Sequence, residues 1–123
     1  ASLRDPQRSV VCFAGDGCFM MYPQELATAA QFGATPVVIV VNNGMLGTIR
    51  MHQEREYPGR VSATRLDNPD FVALARAFGA HAERAECSAD FPAAFRRARE
   101  SGRPALLELL TDPRQITPQA RLA

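Results

Sequence analysis

At 123 residues the chain is long enough for one domain with a real core, and its 46% hydrophobic content is ordinary for a globular protein. Fourteen basic and 13 acidic residues leave a formal net charge of +1, which argues against an electrostatic nucleic-acid binder. No run reaches the roughly 18 apolar residues of a membrane span, and the polar start Ala1-Ser-Leu-Arg-Asp-Pro6 lacks a signal-peptide core.

In chain order, Ser9-Val-Val-Cys-Phe-Ala14 is a short apolar run closed by Gly15, the pattern of a strand covered on both faces. Pro23 opens a helical stretch over residues 24–32, stopped by Gly33, with Leu26, Ala29, Ala30 and Gly33 as its packing stripe. Pro36 opens a second strand at 37–41, β-branched throughout. Residues 46–54 have helical character and end at Tyr57-Pro-Gly59; residues 60–67 read as a loop. Asn68 is the expected N-cap, with Pro69 at the first helical position, of a helix over 70–78 whose inner face is Phe71, Leu74, Ala75 and Phe78. A short strand is expected at 80–83, a helix capped by Ser88 at 89–100, and a last strand at 104–110. Residues 111–123 read as a tail, helical in part after Pro118.

The order β-α-β-α-α-β-α-β implies an α/β fold, a mostly parallel sheet with helices on both faces. One domain is expected, its core at about 9–110, without internal repeats or low-complexity tracts. Cys12, Cys18 and Cys87 are odd in number and fit no zinc spacing, so reduced thiols in a cytoplasmic protein are expected. Cys12 should pack in the first strand. Cys18 has no adjacent His–acid pair to make it a nucleophile. Arg96-Arg97-Ala98-Arg99 reads as the wet face of a helix.

Two motifs stand out. Gly15-Asp16-Gly17 closes the first apolar run and Asn42-Asn43 closes the second. Each alone is an ordinary turn sequence. Together they put a carboxylate and a carboxamide at the carboxyl ends of two strands one βαβ step apart, the edge where parallel sheets bind ligands. An acid and an amide beside glycines that expose backbone N–H groups suit Mg²⁺ carrying a phosphorylated ligand.

The pair resembles the diphosphate-binding motif of thiamine diphosphate enzymes. Gly15-Asp-Gly-Cys-Phe-Met-Met21, Glu25-Leu-Ala-Thr-Ala29 and Val40-Val-Asn-Asn-Gly44 are similar to the carboxyl-terminal cofactor domain of the acetolactate synthase-like group, which also includes glyoxylate carboligase and pyruvate decarboxylase. The resemblance covers about residues 9–110. It implies Mg²⁺ held by the Asp16 carboxylate, the Asn43 side-chain oxygen and the Met45 backbone carbonyl. It implies that Gly15, Gly17 and Cys18 meet the diphosphate through backbone, and that Gly47, Thr48 and Ile49 line the rest of the cofactor channel. Pyruvate decarboxylases place a glutamate six residues beyond the metal Asn; Ile49 stands there instead, which favours carboligation over simple aldehyde release. Arg50 and His52 stay open between substrate contact and helix surface, and His81 is expected to be structural.

The same resemblance places the activating glutamate in a separate amino-terminal pyrimidine-binding domain, usually on a neighbouring subunit. The chain is therefore expected to be an amino-terminally truncated cofactor domain, inactive alone. It would belong to a homo-oligomeric enzyme acting on a 2-oxo acid. The alternative is a non-catalytic α/β module for another phosphorylated ligand, or a structural domain whose motifs are turns.

Overall fold

A computed structural model describes residues 1–117 and 119–122. Its elements run β1 (Val11–Gly15), α1 (Asp16–Phe19), α2 (Glu25–Gln31), β2 (Val37–Asn42), α3 (Gly47–Glu56), α4 (Phe71–Ala77), β3 (His81–Ala85), α5 (Phe91–Glu100) and β4 (Ala105–Leu110). The four strands form a parallel sheet in the order β1-β2-β4-β3.

Side chains alternate across a strand, so the central strands β2 and β4 divide their apolar residues between two faces. Val40 and Leu106 pack with Phe19, Leu26, Phe71 and Ala75, from α1, α2 and α4. Val37, Ile39, Ala105 and Leu107 pack with Ala94 and Ala98 of α5. Helices therefore cover both faces, as the alternating pattern implies. Phe71 is fully buried and meets Phe19 edge-on, with ring centroids 5.6 Å apart. That contact ties the short α1, which carries the first motif, to the core; deleting such a ring costs about 3–5 kcal/mol.

Four local expectations are corrected. β1 is an edge strand and is not covered on both faces: Val11 is 39% and Phe13 71% exposed, and Cys12 is exposed with them. The α2 stripe is narrower than expected, because only Leu26 is buried, Ala29 is half-buried, and Ala30 and Gly33 are exposed. The N-cap of α4 is Asp70, whose carboxylate accepts the Ala73 N–H at 3.0 Å; Asn68 points elsewhere. The N-cap position of α5 is Asp90 in place of Ser88, although its carboxylate turns back to the Cys87 N–H. In the tail, the expected helical turn begins at Pro118, outside the described residues. Residues 119–122 are not helical, and Gln115 and Arg121 form an antiparallel bridge. Among the described residues, no helix is long and apolar enough to cross a membrane.

Candidate functional site

β1 and β2 run side by side with Gly15 opposite Val41, so the residues that follow each strand emerge together at the carboxyl edge. Asp16 opens α1 directly after β1. After β2 the chain turns at Gly44, whose φ of 67° lies in the left-handed region that a glycine adopts without strain. The long loop before α4 then folds back over this turn. Leu46 N–H donates to the Thr64 carbonyl at 2.8 Å and Leu66 N–H to the Gly44 carbonyl at 2.9 Å, with Thr64 buried.

Asp16 is 2% exposed. A buried carboxylate is costly unless hydrogen bonds replace its water. Here Oδ1 accepts the Gly17 N–H at 2.9 Å, while Oδ2 accepts the Gly44 N–H at 2.9 Å and the Asn68 side-chain amide at 2.8 Å. A carboxylate offers about four lone-pair sites. Two donors fill Oδ2, and one site on Oδ1 stays open. Asn43 repeats the pattern: its Oδ1 accepts the Met45 N–H at 3.1 Å and keeps its second lone pair.

A cleft of about 400 Å³ opens over these groups. Its lining contains Gly15, Asp16, Gly17, Cys18, Asn43, Met45, Gly47, Thr48 and Ile49, together with Val41 and Leu46. All nine residues singled out from the sequence therefore meet at one place. Two of the lining glycines leave no room for a side chain: at Gly17 a Cβ would stand 2.8 Å from Leu46 Cδ2, and at Gly47 it would stand 2.8 Å from Asn43 Nδ2. α3 begins at Gly47 with no side-chain cap on its free first-turn N–H groups, a setting that attracts anions. Among the described residues no cluster of three or more His, Cys, Asp or Glu could hold a metal. A cation bound here would see one carboxylate and neutral oxygens, the donor set of Mg²⁺ that shares its shell with phosphate. The residues present fit a Mg²⁺-diphosphate group.

Other residues fall outside this arrangement. Arg50 pairs with Glu54 one helical turn on, and its Nε is buried without a partner. The Gly59 N–H, ahead of Arg50, holds Glu54 below the usual carboxylate range. His52 is exposed on α3. His81 Nε2 lies 2.8 Å from Glu83 Oε1, a surface pairing away from the cleft. Arg97, from the basic cluster, grips Glu83 at 2.6 Å.

Three contributors escaped the sequence reading. Asn68 bonds to Asp16 and to Asn42 Oδ1; Glu108, 1% exposed on β4, accepts the Asn42 side-chain amide at 2.7 Å; and Arg84 bonds Glu108 at 2.8 Å. The usable signal was a lone glutamate in the leucine-rich strand Ala105–Leu110.

Residues 1–109 match the family described as thiamine pyrophosphate enzyme, C-terminal TPP binding domain. The chain is 40% identical over 116 residues to acetolactate synthase of Mycobacterium leprae, covering 89% of this chain and 19% of that protein. It is 37% identical over 113 residues to acetolactate synthase isozyme 2 large subunit of Escherichia coli, covering 91% of this chain and 21% of that protein. Among solved structures, a thiamine diphosphate-dependent 4-hydroxybenzoylformate decarboxylase of Rhodococcus jostii superposes with a TM-score of 0.83 at 31% identity, over 91% of this chain and 21% of the other. The chain thus spans about a fifth of the length of these relatives. The match over nearly the whole chain, on a fold that brings both motifs to one cleft, assigns it to the thiamine pyrophosphate enzymes, as a C-terminal TPP binding domain.

Proposed function

We propose that this chain holds the diphosphate of thiamine diphosphate through Mg²⁺, as one part of an acetolactate synthase-like 2-oxo acid decarboxylase or carboligase. The observation that carries the reading is the buried Asp16 carboxylate, which opens one free lone pair at a cleft shared with Asn43 and Met45. Asp16 Oδ1, Asn43 Oδ1 and the Met45 carbonyl are the metal ligands. Gly15, Gly17 and Cys18 let the backbone approach the diphosphate, and Gly47 and Thr48 present the start of α3 to it. The bound cofactor supplies the electron sink for breaking and making bonds beside a carbonyl carbon. Ile49, 50% exposed on the cleft wall, offers no proton there, which favours carboligation.

The remaining machinery belongs to other parts of the protein: a pyrimidine-binding domain with the activating glutamate, contributed within a homo-oligomer in the cytoplasm. Residues 1–123 alone are inactive in this reading, and detectable 2-oxo acid decarboxylation by them counts against it. The decisive measurement is isothermal titration of the full-length protein with thiamine diphosphate. Binding should require Mg²⁺ and should be lost in Asp16→Ala. Metal-independent binding, or none, would refute the proposal.

A further inference from the structure

Glu108 presents a physical problem. It sits on β4 in register with Val40, two residues from Leu106, on the sheet face that packs against α2 and α4. Burying a carboxylate there is costly unless partners compensate, and an apolar residue of similar size is often as good for stability. Its partners lead in one direction. Oε2 accepts Arg84 Nε at 2.8 Å at the sheet edge, and Oε1 accepts Asn42 Nδ2 at 2.7 Å.

Hydrogen-bond polarity then propagates. A carboxylate can only accept, so the Asn42 amide must turn its NH₂ to Glu108 and its carbonyl oxygen away. That oxygen accepts the Gly44 N–H at 3.1 Å and Asn68 Nδ2 at 3.0 Å. Asn68 faces two acceptors, Asn42 Oδ1 and Asp16 Oδ2, and so must present its NH₂ to both. The relay joins β3, β4, β2, the loop before α4 and α1, and it ends on the carboxylate at the cleft. None of Glu108, Asn42 or Asn68 lines the cleft itself.

We infer that Asn68 is a positioning residue that occupies Asp16 Oδ2 and so leaves Oδ1 as the oxygen offered to a cation, with Asn42 and buried Glu108 fixing its orientation. The inference rests on the reading of Asp16 as a Mg²⁺ ligand. Without Asn68, Oδ2 regains an open lone pair and loses its tie to the loop before α4. With Gln at 108, the amide oxygen turns to Arg84 and the NH₂ to Asn42, whose amide must flip and set donor against donor at Asn68.

The test is Mg²⁺ titration of the full-length protein at saturating thiamine diphosphate, followed calorimetrically, with the melting temperature of the unliganded protein measured in parallel. Asn68→Ala and Glu108→Gln should each weaken Mg²⁺ by on the order of tenfold, as losses behind a ligand do. Unchanged Mg²⁺ affinity beside a lowered melting temperature would overturn the inference and leave the relay purely structural. If Asn68→Ala does not fold, Glu108→Gln decides alone. Asp16→Ala separates the two claims. Loss of Mg²⁺-dependent binding in Asp16→Ala, with both relay variants unaffected, overturns only this inference. Retained Mg²⁺-dependent binding in Asp16→Ala overturns the underlying reading and this inference with it.

Discussion

Gly47 separates what the site needs from what the fold needs. It is the first residue of α3, where alanine is a better helix former than glycine by up to about 1 kcal/mol. A Cβ there would stand 2.8 Å from Asn43 Nδ2, the end of a flexible side chain. The fold escapes the clash by moving the Asn43 amide, the group proposed above as a Mg²⁺ ligand. Gly47→Ala should therefore keep or raise the melting temperature of the unliganded protein, while weakening Mg²⁺-thiamine diphosphate binding by on the order of tenfold. Equal binding in the variant would remove Asn43 from the ligand set. This scale also shows where reading a sequence stops. Gly15-Asp16-Gly17 and Asn42-Asn43 are visible because their turn residues, one acid and two amides, follow apolar runs locally in the chain. Asn68 reads as a helix cap because Asn-Pro is a good cap by local rules. Its partners Asp16 and Asn42 are distant in sequence, and no local pattern encodes them.

At the scale of elements, β3 is held to α5 by a charged clamp. Glu83 accepts Arg97 Nε at 2.9 and 3.1 Å and an Arg97 terminal nitrogen at 2.6 Å. The Arg97 hydrogen bond, then His81, holds the Glu83 carboxyl below its usual range. A carboxylate with a lowered folded pKa contributes stability above its unfolded pKa of about 4.3, and the contribution disappears as pH falls through the folded value. Urea denaturation of the wild type and of Glu83→Gln should show a stability gap at neutral pH that closes in acid, below the ordinary glutamate range. A gap of constant size across that range would mean that the clamp contributes through packing alone. The elements themselves were legible because alternating apolar strands and Pro- or Gly-bounded helices are local signals. Their ends were less so. Asp70 displaced Asn68 as the cap of α4 by winning the Ala73 N–H, and Asp90 took the cap position of α5 although its side chain serves Cys87.

For the whole molecule, the two edges of the sheet are unequal. β3 carries Glu83 and Arg84 on its length, and such charges blunt an edge against pairing with another chain. β1 reads Val-Cys-Phe-Ala-Gly, with no charge, and both Val11 and Phe13 are exposed on it. The sequence alone could not distinguish this strand from a buried one. An apolar run looks the same whether it sits inside a sheet or at its edge, and only the strand order shows that β1 has one neighbour. Exposed apolar side chains on an uncharged edge strand favour association. Residues 1–123 in isolation should accordingly self-associate, with a light-scattering mass that rises with concentration. Phe13→Lys places a charge at the centre of that edge without touching either buried cluster, and should return the mass towards that of a monomer while leaving the far-ultraviolet circular dichroism unchanged. A wild-type chain that stays monomeric at high concentration would show that an apolar, uncharged β1 is not enough to drive pairing.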